Sequence, residues 1–161
     1  MTRRHPVTLI ALASLTVTLA LPFGASSGQA QEAEVKAAVS AYQAAFGSLD
    51  LPQQEAVFAH DKDTMLILPE NKAVAVGWDN VRKSLAGDDN ALSELKIMPL
   101  DGPHIRVKGD TAWSIEKVIA TGKTKHGETF NDPTFDTAIF EKRQGRWLLV
   151  SLTVLRVPQG H

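Results

Sequence analysis

The stretch from Trp147 to Val157 carries apolar side chains on both of its alternating faces, and this limits the possible folds more than any other feature. Successive side chains of a strand point to opposite sides. With that period, Trp147, Leu149, Ser151, Thr153, Leu155 and Val157 share one face, and Leu148, Val150, Leu152, Val154 and Arg156 share the other. A sheet built on such a strand needs cover on both sides. Helices can shield one face. No residues remain for a second layer over the other, so the pattern predicts a homodimer formed sheet to sheet.

The helices come first. Val35, Ala38, Val39, Tyr42, Ala45 and Phe46 recur at three- and four-residue spacing, which predicts a helix over Glu32 to Phe46, ended by Gly47-Ser48. Asp50 is placed to cap a second, short helix through Phe58, with Pro52 in a first turn that needs no amide proton there. Gly77-Trp78-Asp79 introduces a third helix, capped by Asp79 and running through Leu85. Between them, Thr64 to Leu68 and Ala73 to Val76 read as a hairpin around Pro69-Glu70-Asn71-Lys72. Strands are expected near Glu94–Pro99, His104–Val107, Thr111–Thr121, Phe135–Lys142 and Trp147–Val157, joined by short reversals at Gly109-Asp110, Lys123 to Gly127 and Gln144-Gly145. Such short connections imply antiparallel neighbours. The class is α+β, with the helices on one sheet face.

The first thirty residues stand apart. Arg3 and Arg4 precede an uncharged run from Val7 to Ala30, which ends in the small residues Gly28-Gln29-Ala30. A basic start, an apolar stretch and a small-residue end are expected of a signal peptide, residues 1–30, with the folded domain over 31–161. The apolar run is shorter than the roughly 20 residues that span a bilayer, so no stable membrane span is expected after cleavage. An exported bacterial protein, periplasmic or extracellular, is the reading. Of 17 Lys+Arg, loss of Arg3 and Arg4 leaves 15 against 18 Asp+Glu, a formal charge of −3. That charge, with no basic run, argues against nucleic-acid binding. Cysteine is absent, which excludes disulfides and thiol nucleophiles.

Four phrases in order carry a resemblance. They are Tyr42-Gln-Ala-Ala-Phe-Gly-Ser-Leu-Asp50, then Val76-Gly77-Trp78, Val107-Lys-Gly-Asp-Thr-Ala-Trp113 and Phe140-Glu-Lys-Arg-Gln-Gly-Arg-Trp147. Together they resemble the nuclear transport factor 2-like superfamily, especially its SnoaL-like and DUF4440-type members. The resemblance implies a cone: three N-terminal helices packed on a strongly curved, mostly antiparallel sheet around a pocket, often as a dimer. It also implies a choice among isomerases, dehydratases, cyclases and non-catalytic proteins, because fold does not settle function. Compared with ketosteroid isomerase, the helix-one tyrosine donor falls on Tyr42, and the strand aspartic acid donor falls on Asp136. The proton-shuttling base falls on Leu68, which cannot abstract a proton. Histidines that relatives carry on the last strand are replaced by Ser151 and Thr153.

The sequence therefore favours a small, mainly apolar ligand held by Tyr42, Asp136 and Ser151 or Thr153, with Phe58, Leu68, Trp78 and Trp113 as apolar contacts. For Trp78 and Trp113 the alternative, a place in the core, is the more ordinary role of a tryptophan in such a pattern. The rival is an isomerase, dehydratase or hydrolase whose base is His60, His104 or Glu116, and a filled, purely structural cone is a third reading. An inward His or Glu within reach of Tyr42 or Asp136 is the feature that favours catalysis. No histidine pair has metal-ligand spacing, and no cofactor fingerprint or nucleophile elbow is present, so no metal or cofactor is expected.

Overall fold

The computed structural model describes residues 27–87 and 92–158. The expected signal peptide lies outside these residues except for Ser27 to Ala30, which form the exposed opening turn of the first helix. That helix, α1 (Ser27–Gly47), starts earlier than the apolar stripe predicts. Its buried positions Val35, Val39, Tyr42 and Ala45 are those of the stripe. The short α2 (Leu51–Ala56) is capped as expected, Asp50 Oδ1 accepting from the Gln53 amide at 2.9 Å. It stops before Phe58 because the chain then joins the sheet. The Ala59 amide donates to Leu149 O at 2.8 Å, and the Leu149 amide to Val57 O at 2.9 Å.

The third helix, α3 (Trp78–Ala86), corrects one expectation: its N-cap is Gly77, not Asp79. Gly77 has φ 83° and its amide donates to Thr64 O at 2.8 Å, while the space beside its Cα is closed by Lys62 O. A side chain there would be strained. Asp79 falls in the first turn instead, where its charge complements the helix dipole.

Six strands form one curved sheet: β1 (Met65–Ile67), β2 (Ala75–Val76), β3 (Leu92–Lys108), β4 (Thr111–Thr124), β5 (Thr129–Arg143) and β6 (Arg146–Arg156). Their order is β2-β1-β6-β5-β4-β3, antiparallel throughout except for the parallel pair β1–β6. The two strands expected at Glu94–Pro99 and His104–Val107 are one interrupted strand. Asp101 pairs with Lys117 and His104 with Ile115, so Gly102 and Pro103 together lie opposite Glu116 as a bulge. Proline cannot donate to a ladder, so the irregularity falls there.

A bulge between β5 and β6 overturns the face assignment of the last strand. Phe140 pairs with Leu149 but Ile139 pairs with Ser151, leaving Val150 as an extra residue. Across a bulge the alternation slips by one. Trp147 and Leu149 therefore share the helix-covered face with Leu152 and Val154, while Ser151 and Thr153 turn to the opposite side with Ile139 and Thr137. The core joins α1 to this inner face through Val35, Val39, Tyr42, Leu66, Ala138, Phe140, Leu149 and Leu152. On the outer face Trp113, Ile115, Phe135, Ile139 and Leu155 remain exposed.

Candidate functional site

Two acidic residues stand side by side on the inner face of the sheet. Glu116 of β4 pairs with Asp136 of β5, so their side chains emerge on the same side, 1% and 3% exposed. The period of two that buries Ala112, Ser114 and Val118 on β4, and Thr134, Ala138 and Phe140 on β5, carries these carboxyls inward with them. Tyr42, on the buried stripe of α1, meets them from above. Its hydroxyl donates to Glu116 Oε1 at 2.6 Å, and Gln43 Nε2 donates to the same oxygen at 2.9 Å. Thr134 Oγ1 donates to Asp136 Oδ1 at 2.8 Å.

The remaining carboxylate oxygens differ in access. Glu116 Oε2 is sealed in the interior with no partner among the described residues. Asp136 Oδ2 is not sealed: Asp136 borders a cavity of about 1480 Å³, with the Tyr42 hydroxyl near enough to this carboxyl to stabilise its charge. The cavity lies between the β1–β2 turn, α3 and the inner sheet face. Phe46, Leu68, Leu95, Val118, Leu152 and Val154 give it apolar walls. Arg156, paired with Asp132 at 3.0 Å, stands at one side, and Lys72 and Lys83 stand at the exposed mouth.

Burial sets the electrostatics. Asp136 is pushed up to about 6, mainly by desolvation, with the neighbouring Glu116 charge acting the same way against the Thr134 and Tyr42 hydroxyls. Glu116 is raised by burial, opposed by its hydrogen bonds from Tyr42 and Gln43. The Tyr42 phenol is raised by burial and then by the two carboxyl charges, which keeps it neutral at any ordinary pH. Two like charges so close favour proton retention by the pair.

The structure thus brings Tyr42, Asp136 and Leu68 to the cavity, with Glu116 directly behind Tyr42. The other residues singled out from the sequence lie elsewhere. Phe58 is buried core, its ring 6.3 Å from both Phe46 and Trp78. His60 is exposed, stacked on Trp78 at 3.7 Å, with Nε2 3.0 Å from Glu55 O. His104 is exposed beside Asp101 at 3.2 Å. Trp113, Ser151 and Thr153 belong to the outer face, the last two because of the Val150 bulge. Thr134, Gln43 and Gln54 were not anticipated. Thr134 was legible as the same-face neighbour of Asp136 two residues away, whereas the reach of Gln43 to Glu116 depends on how α1 sits over β4.

A curved, mostly antiparallel sheet wrapped on N-terminal helices around a cavity defines an NTF2-like fold. The chain belongs to the SnoaL-like domain family, which it matches over residues 35–153. Among solved structures it is similar to an NTF2-like superfamily protein from Salmonella enterica serovar Typhimurium LT2, at 16% identity and TM-score 0.73, covering 83% of this chain and 95% of that one. It is also similar to a ketosteroid isomerase-like protein from Erwinia carotovora atroseptica, at 18% identity and TM-score 0.65, covering 79% and 96%. A third is a protein with a cystatin-like fold from Caulobacter vibrioides, at 14% identity and TM-score 0.64, covering 79% and 89%. Comparison with proteins of curated function finds no match.

Proposed function

We propose that the protein is an acid–base enzyme acting on a small, mainly apolar organic molecule held in the cavity, with Asp136 as the proton-transfer group. The observation that carries this reading is the setting of Asp136. One oxygen is fixed by Thr134, the other is open to an apolar cavity, and the carboxyl is pushed up to about 6. A general acid or base works best when its pKa lies near the working pH, and contributes roughly 10²–10⁴-fold. As a carboxylate, Asp136 accepts a proton from the bound molecule at Oδ2. As the acid, it returns one at a neighbouring position. Thr134 keeps the carboxyl in place through both steps, and the apolar walls beside it hold the apolar part of the molecule.

Proteins of this fold are often isomerases or dehydratases, and both reactions need such a proton transfer. Glu116 supports the catalytic reading as an inward carboxyl 2.6 Å from Tyr42. A second reading, ligand binding without catalysis, is favoured by Leu68, which forms cavity wall where the resemblance implies a base. The sequence supports export, through the basic and apolar opening residues, and the exposed outer face supports a homodimer.

Native mass spectrometry of protein purified from its source cells would identify a retained molecule. That molecule is then incubated in deuterium oxide with wild type and with Asp136→Asn. Deuterium entering a carbon position with wild type, at least about a hundredfold slower with the variant, is the expected result. Retention without exchange in either protein would establish binding alone.

A further inference from the structure

The hydrogen-bonding inventory at the floor of the cavity is unbalanced, and this bears on the ligand. A tyrosine hydroxyl has one proton and two lone pairs. The Tyr42 proton is committed to Glu116 Oε1 at 2.6 Å. Glu116 Oε1 also accepts from Gln43 Nε2 at 2.9 Å, so as a carboxylate this oxygen takes two donors and holds the Tyr42 proton. The Thr134 proton is likewise committed to Asp136 Oδ1 at 2.8 Å. The floor is therefore short of protons: the one Tyr42 proton serves Glu116 and lies beside Asp136, whose Oδ2 is left open to the cavity as an acceptor. Gln54, also on the cavity wall, adds a buried Oε1 with no donor, although its amide N–H₂ is a donor group too. Higher up, Asn71 and Ser84 are bonded to each other at 3.2 Å, and Lys72 and Lys83 stand out at the mouth.

We infer that the molecule bound in this cavity meets Tyr42 and Asp136 with a hydrogen-bond donor, a hydroxyl group on an apolar ring or chain, and not with a carbonyl. A carbonyl oxygen there would face the lone pairs of Asp136 Oδ2 while the one nearby proton, that of Tyr42, is held by Glu116. A hydroxyl supplies the missing proton to Asp136 and makes no demand on the Tyr42 proton, so the Tyr42–Glu116 bond stays intact. Burying an acceptor without a donor carries a penalty that a matched hydroxyl avoids. Glu116 is a positioning residue in this arrangement. It never reaches the cavity, but by holding the Tyr42 proton it decides what Tyr42 offers to the ligand. The inference rests on the reading of the cavity as the binding site for a small molecule, and narrows it to alcohols and phenols.

Matched alcohol–ketone pairs test it: cyclohexanol and cyclohexanone, 1-tetralol and 1-tetralone, and 9-fluorenol and 9-fluorenone, titrated calorimetrically at pH 8. Wild type is expected to bind the alcohol of its best pair at least about tenfold more tightly than the ketone, the size of one unmatched buried polar group. Glu116→Met removes the acceptor at similar volume and frees the Tyr42 proton, so the preference should collapse to within about threefold or invert. Tyr42→Phe should weaken the alcohol and leave the ketone unchanged, which keeps the test decisive should Glu116→Met fold poorly. Equal or tighter ketone binding by wild type would overturn the donor inference and leave the cavity reading standing. Binding of neither member of any pair would overturn both.

Discussion

Asp136 is where stability and the proposed chemistry pull in opposite directions. An aspartate in the unfolded chain titrates near 3.8, and in the fold this one holds its proton to about 6. Between those values the folded chain binds more proton than the unfolded chain, so stability falls as pH rises through the window. The difference of 2.2 units corresponds to about 3 kcal/mol, present below pH 3.8 and lost above pH 6. Glu116, also raised by burial, acts in the same direction. Asp136→Asn cannot ionise. Relative to wild type it should gain up to about 3 kcal/mol between pH 4 and pH 8, read as the difference of two urea-unfolding series. A flat difference curve would mean that Asp136 is ionised in the fold throughout, and would remove the basis for its role as a neutral-pH base. The inward direction of Asp136 was legible from its parity with Ala138 and Phe140. Its partner was not, because pairing with Glu116 depends on a cross-strand register that one sequence does not specify.

At the scale of elements, α1 and the long strands were readable, while the interruptions were not. The apolar stripe of α1 gives its buried face at Val35, Val39, Tyr42 and Ala45, because helical period is a local property. The face of β6 changes at Val150, because a bulge is set by the partner strand, and no glycine or proline marks it in the sequence. That bulge is what moves Ser151 and Thr153 off the cavity and puts Leu152 and Val154 onto it. The consequence is measurable. Leu152 is 1% exposed, and Leu152→Ala should cost about 2–5 kcal/mol. Thr153→Ala, one residue along and turned to the outer face, should change stability by about 0.5 kcal/mol or less. Continuous alternation from Trp147 would predict the reverse ranking, with Thr153 among the buried positions, so thermal unfolding of the two variants decides between the two parities.

For the whole molecule the remaining question is what covers the outer face. The helices pack on one side of the sheet only, and the other shows Trp113, Ile115, Phe135, Ile139 and Leu155, each at least 36% exposed. Cross-strand pairing brings them together: Trp113 faces Ile139, and Phe135 lies between Lys117 and Leu155. Contiguous apolar surface of this kind on a folded chain marks a contact site. The same strands that present it also carry Glu116 and Asp136 on their reverse side, so covering one face stiffens the platform that aligns the other. A second copy applied through a two-fold axis meets the patch with itself, an isologous contact that closes at two subunits. Sedimentation velocity of wild type should then show a dimer. Ile115→Lys combined with Ile139→Lys places charges at the centre of the patch and should yield a monomer with an unchanged circular dichroism spectrum, since neither side chain contributes to the inner core. Ligand binding in that monomer should weaken only through loss of stiffness, because every cavity residue comes from one chain. A wild-type monomer at micromolar concentration would mean that the patch serves some other partner, and that the greasy two-sided strand alone is insufficient reason to expect a dimer.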